Sequence, residues 1–172
     1  MGWIIVLLVA AIGILYIYFT VKVDKLDSEA RDRASEIDGS LWDRAFQLSK
    51  LVEALDKHEI EHGIEALDVN TFGLGMSALM QSTNCEKLDQ RDEELREVFK
   101  AHPELKKDDD FLDHLNKFDL ARNELIKYSL AYNKSANTYN NYIGRFPASI
   151  IAMFHKKKDK AIFIYYFKEL QK

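Results

Sequence analysis

The sequence contains few of the residues that interrupt or cross-link a chain. Its 172 residues include two prolines, seven glycines and one cysteine. An all-β domain of this length needs more turn-forming residues, so that class is excluded. The lone Cys85 can form neither an internal disulfide nor a four-cysteine zinc module. A net charge of -4 gives no general attraction to nucleic acid, and we expect no nucleic-acid partner.

Charged residues are also missing from residues 2–21. As an α-helix this stretch is about 30 Å long, which matches the hydrocarbon core of a bilayer. Aromatic residues lie near both ends, as is typical of membrane interfaces: Trp3 at one, and Tyr16, Tyr18 and Phe19 at the other. A cleaved signal peptide is the competing interpretation, but no base precedes the run and no small-residue cleavage site follows it. We predict a transmembrane anchor over residues 1–23 that contacts the lipid bilayer through residues 2–21.

Basic residues follow the apolar stretch, namely Lys22, Lys25, Arg31 and Arg33. The positive-inside rule then places the remainder of the chain in the cytoplasm, and the interleaved acids count for little in that rule. The predicted location is the cell inner membrane or plasma membrane, with a single pass and the N-terminus outside.

A long first helix is predicted over residues 23–62. Apolar residues recur there in steps of three and four, and the helix could continue directly from the anchor. The residues of this stripe are Leu26, Ala30, Ile37, Leu41, Ala45, Leu48, Val52 and Leu55. Such a stripe must be covered by partners within the chain or between chains.

Two more long helices and a short one follow. After a loop over residues 63–75, a second helix is predicted over residues 76–101 and a third from Asp108 to Gly144. Pro147 suits the first turn of a short fourth helix over residues 148–154. The third helix carries a heptad-like seam: Leu115, Phe118, Leu125, Tyr132, Ala136, Tyr139, Ile143 and Phe146. We therefore predict an all-α fold, in which the transmembrane helix is followed by an antiparallel bundle of long helices and a short C-terminal helix.

The C-terminal part of the chain is basic. Residues 145–172 hold seven bases and two acids, whereas residues 23–68 hold six bases and thirteen acids. A basic tail with aromatic residues, as over residues 156–172, can bind lipid. In an up-down bundle, however, the second helix returns to the membrane and the third ends far from it. We therefore expect the tail to dock on the acidic first helix or on a partner protein.

Motifs in the second half resemble a known family. Tyr132-Asn133, Tyr139-Asn140, Ile143 and Phe146-Pro147 are similar to the YNxxVxxYNxxIxxFP signature of the LemA family, although Ala136 stands in place of its valine. Upstream similarities are Ile37-Asp38, Leu41, Arg44, Leu51-Val52, His58-Glu59, Glu94, His102-Pro103-Glu104-Leu105-Lys106, Phe111, Leu115 and Glu124. The family's paired arginine and Ile-Pro-Asn segment of the first helix is not found here. The resemblance implies a short external N-terminus, one transmembrane helix, a cytoplasmic bundle over residues 24–155, and no enzymatic activity.

The Tyr-Asn pairs repeat after seven residues, so both pairs lie on one side of a helix at the edge of the seam. Amide and phenol groups held half in a core fix the register of packing, because a shifted pairing would leave them unsatisfied. A groove for a polar ligand or a peptide is the alternative.

One segment has a catalytic pattern. His58-Glu59-Ile60-Glu61-His62 matches HExxH, in which a helix presents two zinc ligands and a glutamate base. The metzincin continuation is missing, since Glu65 and Asp68 stand where glycine and histidine are required. A charged helix end before Gly63 is the alternative, and we favour it.

These features predict a membrane-anchored cytoplasmic helical bundle with an interaction or scaffolding role. We expect no catalytic residues, no metal site and no cofactor, and a protein partner whose identity the sequence does not give. A zinc-dependent hydrolase using His58, Glu59 and His62 is one alternative. A homo-oligomeric, bilayer-shaping protein whose seams pair between chains is the other.

Overall fold

A computed structural model describes residues 2–163, and within that range the secondary structure is helical with no strand. There are four α-helices: α1 over Gly2–Lys57, α2 over Ala78–Ala101, α3 over Asp109–Ile143 and α4 over Ala148–Phe154. Short 3-10 turns lie at Val69–Thr71 and Pro103–Lys107. The predicted all-α fold is confirmed, and α1 continues from the apolar stretch without a break.

Side-chain caps set the starts of α2 and α3 close to their predicted positions. Ser77 Oγ accepts a hydrogen bond from the backbone N–H of Met80 at 3.2 Å. Asp108 Oδ1 accepts one from the N–H of Phe111 at 3.0 Å. Each bond satisfies an N–H that has no partner within its helix.

The end of α1 differs from the prediction, because the helix stops at Lys57 and residues 58–62 are not helical. Ile60 N–H bonds Leu55 C=O at 3.1 Å and Glu59 N–H bonds Asp56 C=O at 3.0 Å. This is the Schellman pattern, and Glu59 takes the left-handed position that it requires, with φ of 55°. Ile60 and Leu55 are both buried, so the motif turns the chain inward.

The chain divides into two compact units. One comprises residues 2–33 with 131–162, and we call it the N/C unit. The other comprises residues 34–130 with Phe163, and we call it the central unit.

In the central unit, α3 is antiparallel to α1 and α2 is parallel to it. Ser40 Oγ donates to Ala121 C=O at 2.8 Å, and Gln47 bonds His114, so numbering along α3 falls as numbering along α1 rises. By contrast, Gln81 bonds Asp38 and Arg44 bonds Asp89, so numbering rises along both helices. The chain runs back along α1 in the connection over residues 58–77 and not in α2, because Gly75 N–H, near the end of this connection, donates to Asp38 Oδ2 at 2.7 Å. The expectation that the second helix returns is therefore wrong.

In the N/C unit, the end of α3 and the buried face of α4 pack on α1. Their shared core contains Val23, Leu26, Tyr139, Ile143, Ala148, Ile151 and Ala152, with Phe19 and Tyr142 packed against it. The third helix therefore ends beside the last residues of the apolar stretch. The expectation that it ends far from that stretch is wrong, because it assumed alternating helix directions.

The predicted apolar faces are buried with one exception. Every residue of the α1 stripe and every seam residue of α3 up to Ile143 is buried. Phe146 lies beyond the end of α3 and is 81% exposed.

Candidate functional site

The Tyr-Asn repeat of α3 binds the chain's own C-terminal segment, residues 156–162. Tyr132 Oη donates to Ala161 C=O at 2.7 Å. Asn140 pairs with the backbone of Lys160 twice: its Nδ2 donates to the C=O at 2.9 Å and its Oδ1 accepts from the N–H at 2.8 Å. Tyr132 and Asn140 thus fix one register of this segment along α3. The peptide groove that we considered as an alternative is filled by the chain itself.

Acidic residues of α1 hold the same segment by charge. Asp27 accepts from Lys157 Nζ at 2.8 Å and from Lys160 Nζ at 2.7 Å. Asp24 adds a second contact to Lys157 at 2.9 Å. Docking of the basic tail on the acidic first helix is therefore confirmed for residues 156–162, and the rest of the predicted tail, residues 164–172, lies outside the described residues.

The ion pairs shift the pKa values of Asp27 and Lys157 toward their charged forms. Burial raises the pKa of Asp27, but hydrogen bonds from Lys157 and Lys160 outweigh burial and keep that pKa below its ordinary value. Hydrogen bonds to Asp27 and Asp24 raise the pKa of Lys157. The Lys160 ammonium also lies 5.1 Å from the centre of the Tyr139 ring, a cation–π distance.

An apolar groove of about 300 Å³ lies between α1 and α4. It is lined by Ile12, Leu15, Tyr16, Phe19, Phe146, Pro147, Ile150 and Ile151. At one end, a hydrogen bond of 3.0 Å joins Tyr16 Oη and His155 Nε2. The surface beside the groove is unusually apolar, because Phe146, Met153 and Phe154 are each at least 69% exposed.

The structure does not present the HExxH pattern on a helix. Residues 58–62 follow the end of α1, so the spacing that would put both rings on one helix face does not apply. His58 Nε2 bonds Asp108 Oδ2 at 2.7 Å, whereas His62 Nε2 bonds Asp56 Oδ1 at 3.2 Å. The other ring nitrogen of His62 accepts the N–H of Ile64 at 3.0 Å, so both its nitrogens are engaged. Among residues 2–163, no group of three metal-binding side chains was found.

Three buried charged residues were not singled out by their chemistry. Arg44 is fully buried, bonds Asp89 at 2.5 Å and Asp92 at 3.4 Å, and lies over the Phe118 ring at 4.8 Å. Asp38 and Asp27 are also buried and bonded, the former to Gln81 and Gly75. All three occupy the apolar stripe of α1, and a charged residue at such a position was the signal that could have found them.

These features define a class: a helical protein whose N-terminal helix is apolar and exposed enough to cross a membrane, with a C-terminal segment bound back onto its own bundle. A family model described as the LemA family matches residues 35–171. The chain belongs to the LemA family. Neither a curated protein nor a solved structure matches it.

Proposed function

We propose that this chain is a single-pass membrane protein whose helical bundle lies in the cytoplasm and serves a non-enzymatic interaction or scaffolding role. The observation that carries the proposal is the apolar, uncovered part of α1. Residues 2–18 are exposed throughout, and an 18-residue window there has a mean hydropathy of 2.7 with none of it buried.

A lipid environment accounts for this exposure better than water does. The largest apolar patch on a soluble monomer typically covers about 300–600 Å². Here the large side chains from Trp3 to Val9 are each 59% exposed or more, on all sides of the helix. A helix that is apolar all round is typical of a membrane span or a deep core, and nothing within residues 2–163 buries this part of α1.

Arginine substitutions within the apolar stretch test the anchor without disturbing the fold, because the replaced side chains are exposed. Val9→Arg lies near the middle of the apolar stretch, where an arginine costs about 2.5–3.5 kcal/mol for membrane insertion, and Ile5→Arg adds a smaller cost nearer its end. We expect the double variant to leave the membrane fraction, while Ile5→Leu with Val9→Leu stays in it. Substitution is a cleaner test than removal of residues 1–23, since Val23 is buried in the core of the N/C unit. Unchanged fractionation of the arginine variant after high-salt washing would overturn the anchor.

Orientation rests on the four bases that follow the apolar stretch, Lys22, Lys25, Arg31 and Arg33. A cysteine placed by Leu74→Cys, at a side chain that is 81% exposed, reports the location of the bundle. Cys85→Ser removes the buried native thiol. We expect an impermeant thiol reagent to label this variant only after cell lysis. Labelling of intact cells would put the bundle outside.

An exposed aromatic surface in the central unit supports an interaction role. Trp42 is 42% exposed and stacks on Phe46 with the ring centroids 5.3 Å apart. A cavity of about 480 Å³ beside it is lined in part by Val69, Phe72 and Leu74. Exposed tryptophan and neighbouring apolar groups are typical of the centres of protein interfaces.

Crosslinking in native membranes tests this role. We expect Trp42→Ala with Leu74→Ala to lose a protein that crosslinks to the unmodified chain, and we expect Leu120→Ala, at another exposed leucine, to retain it. Equal crosslinking by the two variants would contradict a role of this surface in binding a partner. Recovery of a second tagged copy as the crosslinked protein would favour the homo-oligomeric alternative.

A further inference from the structure

We propose that α4 is a second membrane-contacting element, whose exposed apolar face inserts into the cytoplasmic leaflet beside the transmembrane part of α1. This inference rests on the proposed function, since it requires that residues 2–21 cross the bilayer. It adds a site of lipid contact in the second half of the chain.

The first observation is that α4 is apolar on both faces. Its inward face, with Ala148, Ile151 and Ala152, is buried in the N/C unit. Its outward face carries Ile150, Met153 and Phe154, which are 40%, 69% and 70% exposed. Phe146 lies two residues before α4, lines the same groove as Ile150 and is 81% exposed, so it adds to the exposed apolar surface. A short surface helix in water needs only one apolar face, so the outward face requires a second apolar environment.

The second observation is the level of α4 along α1. The groove between the two helices is lined on the α1 side by residues from Ile12 to Phe19. Those residues belong to the uncharged stretch, and they cover about 10 Å along the helix axis. If residues 2–21 lie in the hydrocarbon and interface, α4 lies at the depth of one leaflet. The exposed face of α4 is thus continuous with the surface of the anchor.

The third observation is the charge around α4. Arg145 lies just before it, and Lys156 and Lys158 follow it, all three exposed. Lys22 and Lys25 occupy the corresponding stretch of α1. Bases that border an apolar face are typical of interfacial helices, in which the apolar side chains enter the acyl region and the bases remain among the headgroups.

The polar groups at this level are suited to an interface. The hydrogen bond between Tyr16 Oη and His155 Nε2 satisfies two side chains that would otherwise need water. Lys157 contacts Asp24 and Asp27 of α1, so the chain after α4 runs along α1 and does not cover the exposed apolar face of α4. We therefore identify the occupant as lipid acyl chains and not a protein partner, because the continuous apolar surface and its basic border both fit a leaflet.

Depth-dependent fluorescence quenching in the full chain tests the inference. The native tryptophans are replaced by Trp3→Phe and Trp42→Phe, and one new tryptophan is introduced per variant. Phe154→Trp reports on α4. Leu8→Trp, in the middle of the apolar stretch, reports on the anchor. Lys134→Trp, at an exposed position of α3 in the same unit, is the control outside the bilayer.

The proteins are reconstituted in vesicles of phosphatidylcholine and phosphatidylglycerol with bromine atoms at known depths on the acyl chains. We expect Leu8→Trp to be quenched most by deep bromines and Phe154→Trp most by shallow ones, with a fluorescence loss of similar size. Lys134→Trp should lose almost no fluorescence. Circular dichroism that matches the unmodified chain shows that each variant is folded.

The outcomes separate the two proposals. Quenching of Leu8→Trp without quenching of Phe154→Trp overturns the insertion of α4 and leaves the anchor intact. An absence of quenching at both positions overturns the anchor itself. Blue-shifted but unquenched emission from Phe154→Trp would show a protein surface over α4, which also contradicts lipid contact.

Discussion

Asp27→Asn should weaken the docking of the C-terminal segment on the bundle. The substitution preserves the shape of the side chain but removes the charge that binds Lys157 and Lys160. Asp27 itself is only 7% exposed, so solvent screens these contacts weakly. We therefore expect a local loss of docking energy larger than that of a surface salt bridge.

The magnitude follows from the burial of the partners. The side chains of Lys157 and Lys160 are 21% and 18% exposed, which lies between the exposed and the fully buried case. Removal of one partner costs about 3–5 kcal/mol in a buried pair, and an exposed pair is worth about 0–1 kcal/mol. Lys157 also keeps its contact with Asp24. We estimate about 2 kcal/mol, which corresponds to about a thirtyfold increase in undocking.

Hydrogen exchange of the Lys160 amide measures this loss, because that N–H donates to Asn140 Oδ1 in the docked state. We expect exchange to be about thirtyfold faster in Asp27→Asn. Asp24→Asn is the matched control: this carboxylate is 57% exposed, so its loss should change exchange by no more than about twofold. Equal acceleration in the two variants, or none in Asp27→Asn, would refute the reasoning.

The same contact has a defined pH dependence. The folded-state pKa of Asp27 lies below its ordinary value, so the stabilisation is fully present above the unfolded pKa of about 3.9. It is lost as the pH falls through the lower, folded-state pKa. After correction for intrinsic exchange, the Lys160 amide should keep constant protection from neutral pH down to about pH 5 and lose it only below about pH 4. Asp27→Asn should remove that acid step.

Other residues give independent predictions. Glu59→Gly should raise the free energy of unfolding by about 1 kcal/mol, because glycine adopts a φ of 55° without strain; a lower urea midpoint would contradict this. Arg44→Met should lower the free energy of unfolding by about 3 kcal/mol, because Asp89 and Asp92, both partly buried, lose their shared cation. An unchanged urea midpoint would show that these ion pairs are dispensable. His62→Ala should not change the zinc content of the purified protein, since its ring nitrogens bind Asp56 and Ile64; loss of stoichiometric zinc would restore the hydrolase hypothesis.

The helices could be predicted because their apolar residues recur at helical spacing over many turns. The end of α1 could not, since the residue at the left-handed position is Glu59 and the nearest glycine comes four residues later, at Gly63. The direction of α2 could not be predicted either. A connection over residues 58–77 is long enough to join helices of either relative direction, and the observed direction is set by tertiary contacts such as the bond from Gly75 to Asp38.

Only part of the candidate site could be predicted from the sequence. The Tyr-Asn repeat marked one edge of α3, but its ligand is a segment without periodicity, so no pattern in residues 156–162 indicated a pairing with it. The opposite charges of the two regions did predict that they meet, because charge complementarity depends on composition and not on spacing. The ion pairs at Asp27 are the contacts on which that prediction depended.

The repeat on α3 joins two kinds of contact in one place. Tyr139 lies in the apolar core of the N/C unit, and its ring also lies beneath the Lys160 ammonium. The next residue of α3, Asn140, pairs with the Lys160 backbone, and the Lys160 side chain contacts Asp27 on α1. A shift of the C-terminal segment by one residue would therefore break the backbone pairing, the cation–π contact and the ion pair together. That coupling fixes a single register for a segment that has no secondary structure of its own, and it ties the chain that follows α4 to the same part of α1 that leaves the proposed membrane anchor.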